Sequence, residues 1–152
     1  MPRWMQRLRQ AAYRLLLRTR RRLRAPELGR QGEARAAWYL RLHGYRILDR
    51  NVRYPAGELD LVVRRGGVIA FVEVKSRQQT RCGTPEEAVG RVKQLRIARM
   101  AERYCRESRV GRETRVRFDV VSVYWTGWRF RIEHLRDAFY IEAEPGRPWV
   151  WR

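Results

Sequence analysis

Apolar residues recur along this chain in two alternating rhythms. Leu28, Ala34, Ala37, Trp38, Leu40 and Leu42 fall at helical spacing and predict a helix over about 27–43, stopped by Gly44. Period-two segments follow. A first strand runs from Tyr45 to about Val52 and ends in the turn Pro55-Ala56-Gly57. Strands over Glu58–Arg64 and Val68–Ser76 flank Gly66-Gly67, a strong hairpin signal. Thr84, Pro85, Glu86 and Glu87 have the pattern of a capping box and open a predicted second helix reaching about Glu107. Val116, Phe118, Val120, Val121 and Val123 mark a fourth strand over 115–124, and Trp128–Ile132 a fifth. The order αβββαββ predicts an α/β domain over 27–144, followed by a tail over 145–152. Before it, Trp4, Leu8, Ala12, Leu15, Leu16, Thr19 and Leu23 give residues 1–26 the spacing of an amphipathic helix, ended by Pro26.

The hairpin carries the candidate chemistry. With Gly66 and Gly67 as its two loop residues, the register sets Val62 opposite Phe71, Asp60 opposite Glu73 and Glu58 opposite Lys75, all on one face. Leu59, Leu61, Val63, Ala70, Val72 and Val74 make the other face wholly apolar. Burial of that face pins the register, because a one-residue slip would bury the charges instead. Val62 and Phe71 beside the charges suggest partial burial of the charged face as well. Two opposed carboxylates at ~4 Å repel by about 4 kcal/mol at an effective dielectric of 20, so a shared cation or proton is expected. A hard divalent ion such as Mg²⁺, held by carboxylates and waters, answers that need. Lys75 would stand beside it and could orient a water or stabilise charge on phosphorus. The competing reading is an ordinary solvated face on which Glu58 pairs with Lys75.

Composition sharpens the choice. The chain has 152 residues, 44% of them hydrophobic, with 35 basic against 16 acidic side chains and a net charge of +19. That excludes a collagen, a long coiled coil and a two-domain enzyme, and it predicts an anionic partner, DNA or another nucleic acid. Ten arginines lie within the first 30 residues, where Glu27 is the sole acid, so residues 1–26 read as a solvated tail, a nucleic-acid arm or a membrane-surface helix. No apolar run is long enough to span a membrane, and Cys82 and Cys105 form neither a metal pair nor a disulfide framework, which fits a reducing cytoplasm. Of the 35 basic residues, 33 are arginine and two are lysine, Lys75 and Lys93. Arginine replaces lysine as a surface charge but not where a compact ammonium is needed, so both lysines stand out. Lys93 and Arg96 lie about one turn apart on the second predicted helix and could reach phosphate, with a solvated helix face as the alternative. His43 and His134 lack ligand spacing and read as surface or core residues. Asp119, on an apolar strand, is either a buried acceptor or a neighbour of the site.

The same residues carry a family resemblance. Gly32-Glu33, Gly44-Tyr45-Arg46-Ile47-Leu48, Arg50-Asn51, Gly57-Glu58-Leu59-Asp60-Leu61, Phe71-Val72-Glu73-Val74-Lys75-Ser76-Arg77, Gly83-Thr84-Pro85-Glu86-Glu87-Ala88-Val89, Lys93, Arg96 and Arg117-Phe118-Asp119-Val120-Val121 form an ordered set. From about Leu28 to Phe139 the chain resembles the YraN-like family of small bacterial proteins, which are similar to the PD-(D/E)XK, restriction-endonuclease-like superfamily. The resemblance implies an αβββαβ core with a mixed sheet between helices. It implies that Asp60 and Glu73 bind Mg²⁺ or Mn²⁺ and that Lys75 assists an attacking water. Glu33 matches an extra acidic ligand in the Holliday-junction-resolvase-like branch, and Glu58 a glutamate less clearly tied to the metal. Phosphate contacts would fall to Arg77, Lys93 and Arg96. The implied activity is metal-dependent hydrolysis of DNA; a nucleic-acid-binding protein without turnover and a peripheral membrane protein are the alternatives.

Overall fold

The computed structural model describes residues 25–78, 89–126, 129–144 and 147–148. Helix α1 (Ala25–Leu42) leads into strands β1 (Arg46–Tyr54), β2 (Gly57–Arg65) and β3 (Val68–Gln78). Helix α2 (Arg91–Glu107) then crosses to β4 (Arg115–Thr126) and β5 (Arg129–Leu135), and a short ribbon, β6 (Glu142–Glu144) with β7 (Arg147–Pro148), closes the described chain. The five long strands form one mixed sheet in chain order, β3 and β4 parallel and every other neighbouring pair antiparallel. A parallel pair needs a crossover, and α2 supplies it.

Each helix covers one face. Ala36, Ala37 and Leu40 of α1 pack on Leu61, Val63, Ala70, Val72, Val121 and Val123. Ile97, Ala98, Met100, Ala101, Tyr104 and Cys105 of α2 pack on Leu59, Val62, Phe71, Phe118 and Val120. Both faces are therefore core, and Val62 and Phe71 are wholly buried rather than partly so. Covering both faces is the usual consequence of a helical crossover.

Three expectations need correction. The hairpin register holds from Arg65–Val68 to Leu61–Val72, but the ladder stops there, so Asp60 and Glu73 are not a paired cross-strand couple. Beyond that point β2 stays with β1 and β3 with β4, and Leu59 packs in the α2 core instead of beside Leu61 and Val63. The second predicted helix is not continuous from Thr84 to Glu107: Gly90 has extended backbone (φ −60°, ψ 154°), and α2 begins after it at Arg91. Residues 1–24 and the Thr84–Glu87 motif lie outside the described residues. Among the described residues, no helix is long and apolar enough to cross a membrane.

Candidate active site

The site lies where β2 and β3 part. Past Leu61–Val72 the backbone of β3 has no β2 partner, and the Val74 N–H donates instead to Asp60 Oδ2 at 2.7 Å. A side chain thus replaces a ladder hydrogen bond, fixing Asp60 between the diverging strands. Glu73, one residue beyond the last pair, is only 6% exposed. A small pocket of about 10 Å³ opens there, lined by Glu58, Leu59, Asp60, Phe71, Val72, Glu73 and Ile97. That is room for about one water-sized occupant.

Both lysines of the chain converge on this point. Lys75 Nζ lies 2.9 Å from Glu73 Oε1, and Lys93 Nζ contacts the same oxygen. Lys93 reaches it because Ile97, four residues on along α2 and so on the same helix face, packs into the pocket wall. Burial alone would lower the Lys93 ammonium, but the Glu73 carboxylate outweighs it and holds the group above its ordinary value. Asp60 moves oppositely to an ordinary surface acid: burial first, then the Glu73 charge, pushes its carboxyl up to about 7, against the pull of the Val74 N–H and Lys93. Even with two ammoniums nearby, burial and the Glu73 charge keep the Asp60 carboxyl raised.

The remaining candidates divide. Glu33 on α1 accepts a hydrogen bond from Asn51 Nδ2 at 2.8 Å. Its charge still reaches Asp60, but among the described residues no three His, Cys, Asp or Glu side chains stand close enough to hold a metal ion together. The ligand set Glu33, Asp60 and Glu73 is therefore not assembled; Asn51, held at φ 51°, captures the first of them. Glu58 lines the pocket but pairs with Arg53 Nε at 3.5 Å, not with Lys75. Arg77 is half-buried on β3, two residues beyond Lys75, and Arg96 is exposed on α2.

Asp119 belongs elsewhere. It is fully buried and accepts from Arg117 Nε at 2.7 Å, from the Asp137 N–H at 3.1 Å, and lies 2.8 Å from His134 Nε2. His134 is thus a core residue, whereas His43 is exposed in the turn after α1 and bonds the Tyr39 carbonyl of that helix. Cys105 is a buried free thiol that burial pushes up to about 12, an inert state. Sequence reasoning assigned no role to Asn51 or to the contact of Lys93 with Glu73. An asparagine between strand residues, a type tolerant of positive φ, was the available signal for the first.

Residues 32–123 match the family model described as Uncharacterised protein family UPF0102. The chain belongs to this family. A UPF0102 protein of Syntrophotalea carbinolica is 48% identical over 116 residues, covering 76% of this chain and 94% of the relative. That of Chlorobium chlorochromatii is 45% identical over 122 residues, 76% and 93%, and that of Bacteroides thetaiotaomicron 41% over 114 residues, 75% and 93%. The matched family segment contains every residue of the carboxylate and lysine cluster.

Proposed function

We propose that this UPF0102 protein is a divalent-metal-dependent phosphodiesterase acting on nucleic acid, most simply an endonuclease-like protein of the cytoplasm acting on DNA. The observation that carries the reading is the junction of β2 and β3, where two carboxylates, the Asp60 one raised by burial and by its neighbour Glu73, stand beside a lysine pair. Such a pair fits Mg²⁺ or Mn²⁺, which take one or two carboxylates and complete their shell with water and phosphate oxygens. When bound, the cation would supply Lewis-acid polarisation of a phosphoryl oxygen and a more acidic water. The chain's own residues do the rest. Asp60 and Glu73 would hold the ion; Glu33, whose charge reaches Asp60, is bonded to Asn51 and would have to move to join them. Lys75, a compact ammonium on a rigid inner strand, orients the nucleophilic water or meets charge growing on phosphorus. Arg77, Arg96 and the wider arginine surface grip the phosphate backbone, which positions nucleic acid without reading its sequence. The net charge of +19 supports the choice of a polyanion.

The test is incubation of supercoiled, single-stranded and branched DNA with the protein and Mg²⁺ or Mn²⁺, with EDTA controls and the variants Asp60→Asn and Lys75→Ala. Cleavage is expected to need the metal and to fall by at least about 100-fold in both variants. Equal cleavage by the variants would remove this site. Salt-sensitive binding with neither cleavage nor metal uptake would identify a nucleic-acid-binding protein without turnover.

A further inference from the structure

The chain uses arginine for 33 of its 35 basic residues, yet both of its lysines meet on one carboxylate oxygen, Glu73 Oε1. Two ammoniums on a single oxygen repel each other, so the arrangement persists only while the local negative charge of Glu73 and Asp60 holds both. They are anchored unequally. Lys75 stands on β3 in the parallel ladder opposite Ser122, with its side chain 24% exposed. Lys93 is on the first turn of α2, behind a cap with no side-chain hydrogen bond, and is 47% exposed. Its four-carbon stem can swing to solvent without moving the backbone. Arginine at 93 would present a wide planar fork in place of a point charge.

From this we infer that Lys93 is a displaceable cation: its ammonium holds Glu73 in the absence of a divalent ion and is driven off Glu73 when that ion binds, becoming available to a phosphate. The inference rests on the metal-site reading above. It gives the second lysine a task distinct from that of Lys75. While Lys93 occupies Glu73 the carboxylate pair stays close to neutral overall, which keeps a buried pair from repelling itself apart. A divalent ion brings two charges to the same place and makes the second ammonium surplus.

A chain with two lysines gives two side-chain ¹³Cε–¹Hε signals after lysine labelling, assigned with Lys93→Gln. On titration of the full-length protein with Mg²⁺, the Lys93 signal should move to the position of a solvated lysine while the Lys75 signal stays dispersed. By calorimetry with Mn²⁺, Lys93→Gln should bind about tenfold more tightly than the unaltered chain, since it removes a competitor worth one charge-assisted hydrogen bond. Mn²⁺ bound equally or more weakly by Lys93→Gln, or a Lys93 signal unmoved at saturating Mg²⁺, overturns the inference and leaves the metal site standing. Absence of Mn²⁺ binding by both proteins overturns the metal site and the inference with it.

Discussion

At Gly32 the side chain is absent because Ser76 is in its place. A Cβ built on Gly32 would stand 1.6 Å from Ser76 Oγ and 2.9 Å from its Cβ, so α1 lies directly on β3 one residue beyond Lys75. That Oγ is buried with no hydrogen-bond partner, so it cannot turn aside into a waiting bond. Gly32→Ala is expected to destabilise the protein by about 1–3 kcal/mol in urea denaturation, as overpacking does, with part of the loss recovered in Gly32→Ala/Ser76→Ala. No recovery would mean that the strain lies in α1 and not in this contact. The same residue-level reasoning separates the two kinds of cation. Lys75→Arg keeps the charge but substitutes a planar fork for a point charge at 2.9 Å from Glu73 Oε1. Metal-dependent cleavage should fall by at least about tenfold in Lys75→Arg with DNA binding unchanged. Undiminished cleavage would reduce Lys75 to a general electrostatic role.

Among the elements, β4 and β5 are joined by more than their ladder. Asp119, buried on β4, binds Arg117 of its own strand, His134 of β5 and the Asp137 backbone beyond it, and Arg117 also donates to Tyr45 Oη at 3.0 Å. Burial would raise the Asp119 carboxyl, but the bonds from His134 and Arg117 prevail and hold it below its ordinary value. A depressed folded value means that the stabilisation is complete above pH ~4, where the unfolded carboxyl titrates, and is lost as pH falls through the folded value. Urea midpoints should therefore drop below pH ~4, and Asp119→Asn should flatten that drop while lowering stability throughout. Asp119→Ala should cost about 3–5 kcal/mol, because the largely buried Arg117 loses its carboxylate and keeps only the Tyr45 hydroxyl. An unchanged acid limb in Asp119→Asn would assign the pH dependence to other carboxylates. The contrast between these strands and the active-site strands also explains what the sequence could disclose. Gly66-Gly67 and strict alternation fix the inner half of the hairpin, since local pairing determines it, and Asp60, Glu73 and Lys75 stand out there as chemistry. The opening beyond Leu61–Val72 comes from β1 and β4 pulling the strands to opposite neighbours, a tertiary effect that no local pattern carries. Lys93 meets Glu73 only because the crossover lays α2 over that opening, 20 residues away in sequence. The helix predicted to run on to Glu107 is likewise broken at Gly90, whose extended backbone precedes the first turn at Arg91.

Over the whole molecule, charge is distributed against the chemistry it would serve. Residues 1–24 contain nine arginines and no acid, leaving the rest of the chain at +10 with all 16 of its carboxylates. If the polyanion is gathered by counterion release, each arginine that neutralises a duplex phosphate adds about 0.9 to the slope of log affinity against log salt. Deleting residues 1–24 should then flatten that slope by several units in fluorescence-anisotropy titrations on duplex DNA, and affinity at low salt should fall steeply. The cleavage rate at saturating protein should change by less than about threefold, because Asp60, Glu73, Lys75 and Lys93 are held by β2, β3 and α2, none of which the deletion touches. A slope that stays the same would place phosphate binding wholly on the folded domain. A large loss of saturated rate would instead tie residues 1–24 to the cleft between β2 and β3, so the two readouts separate the gathering of nucleic acid from its hydrolysis.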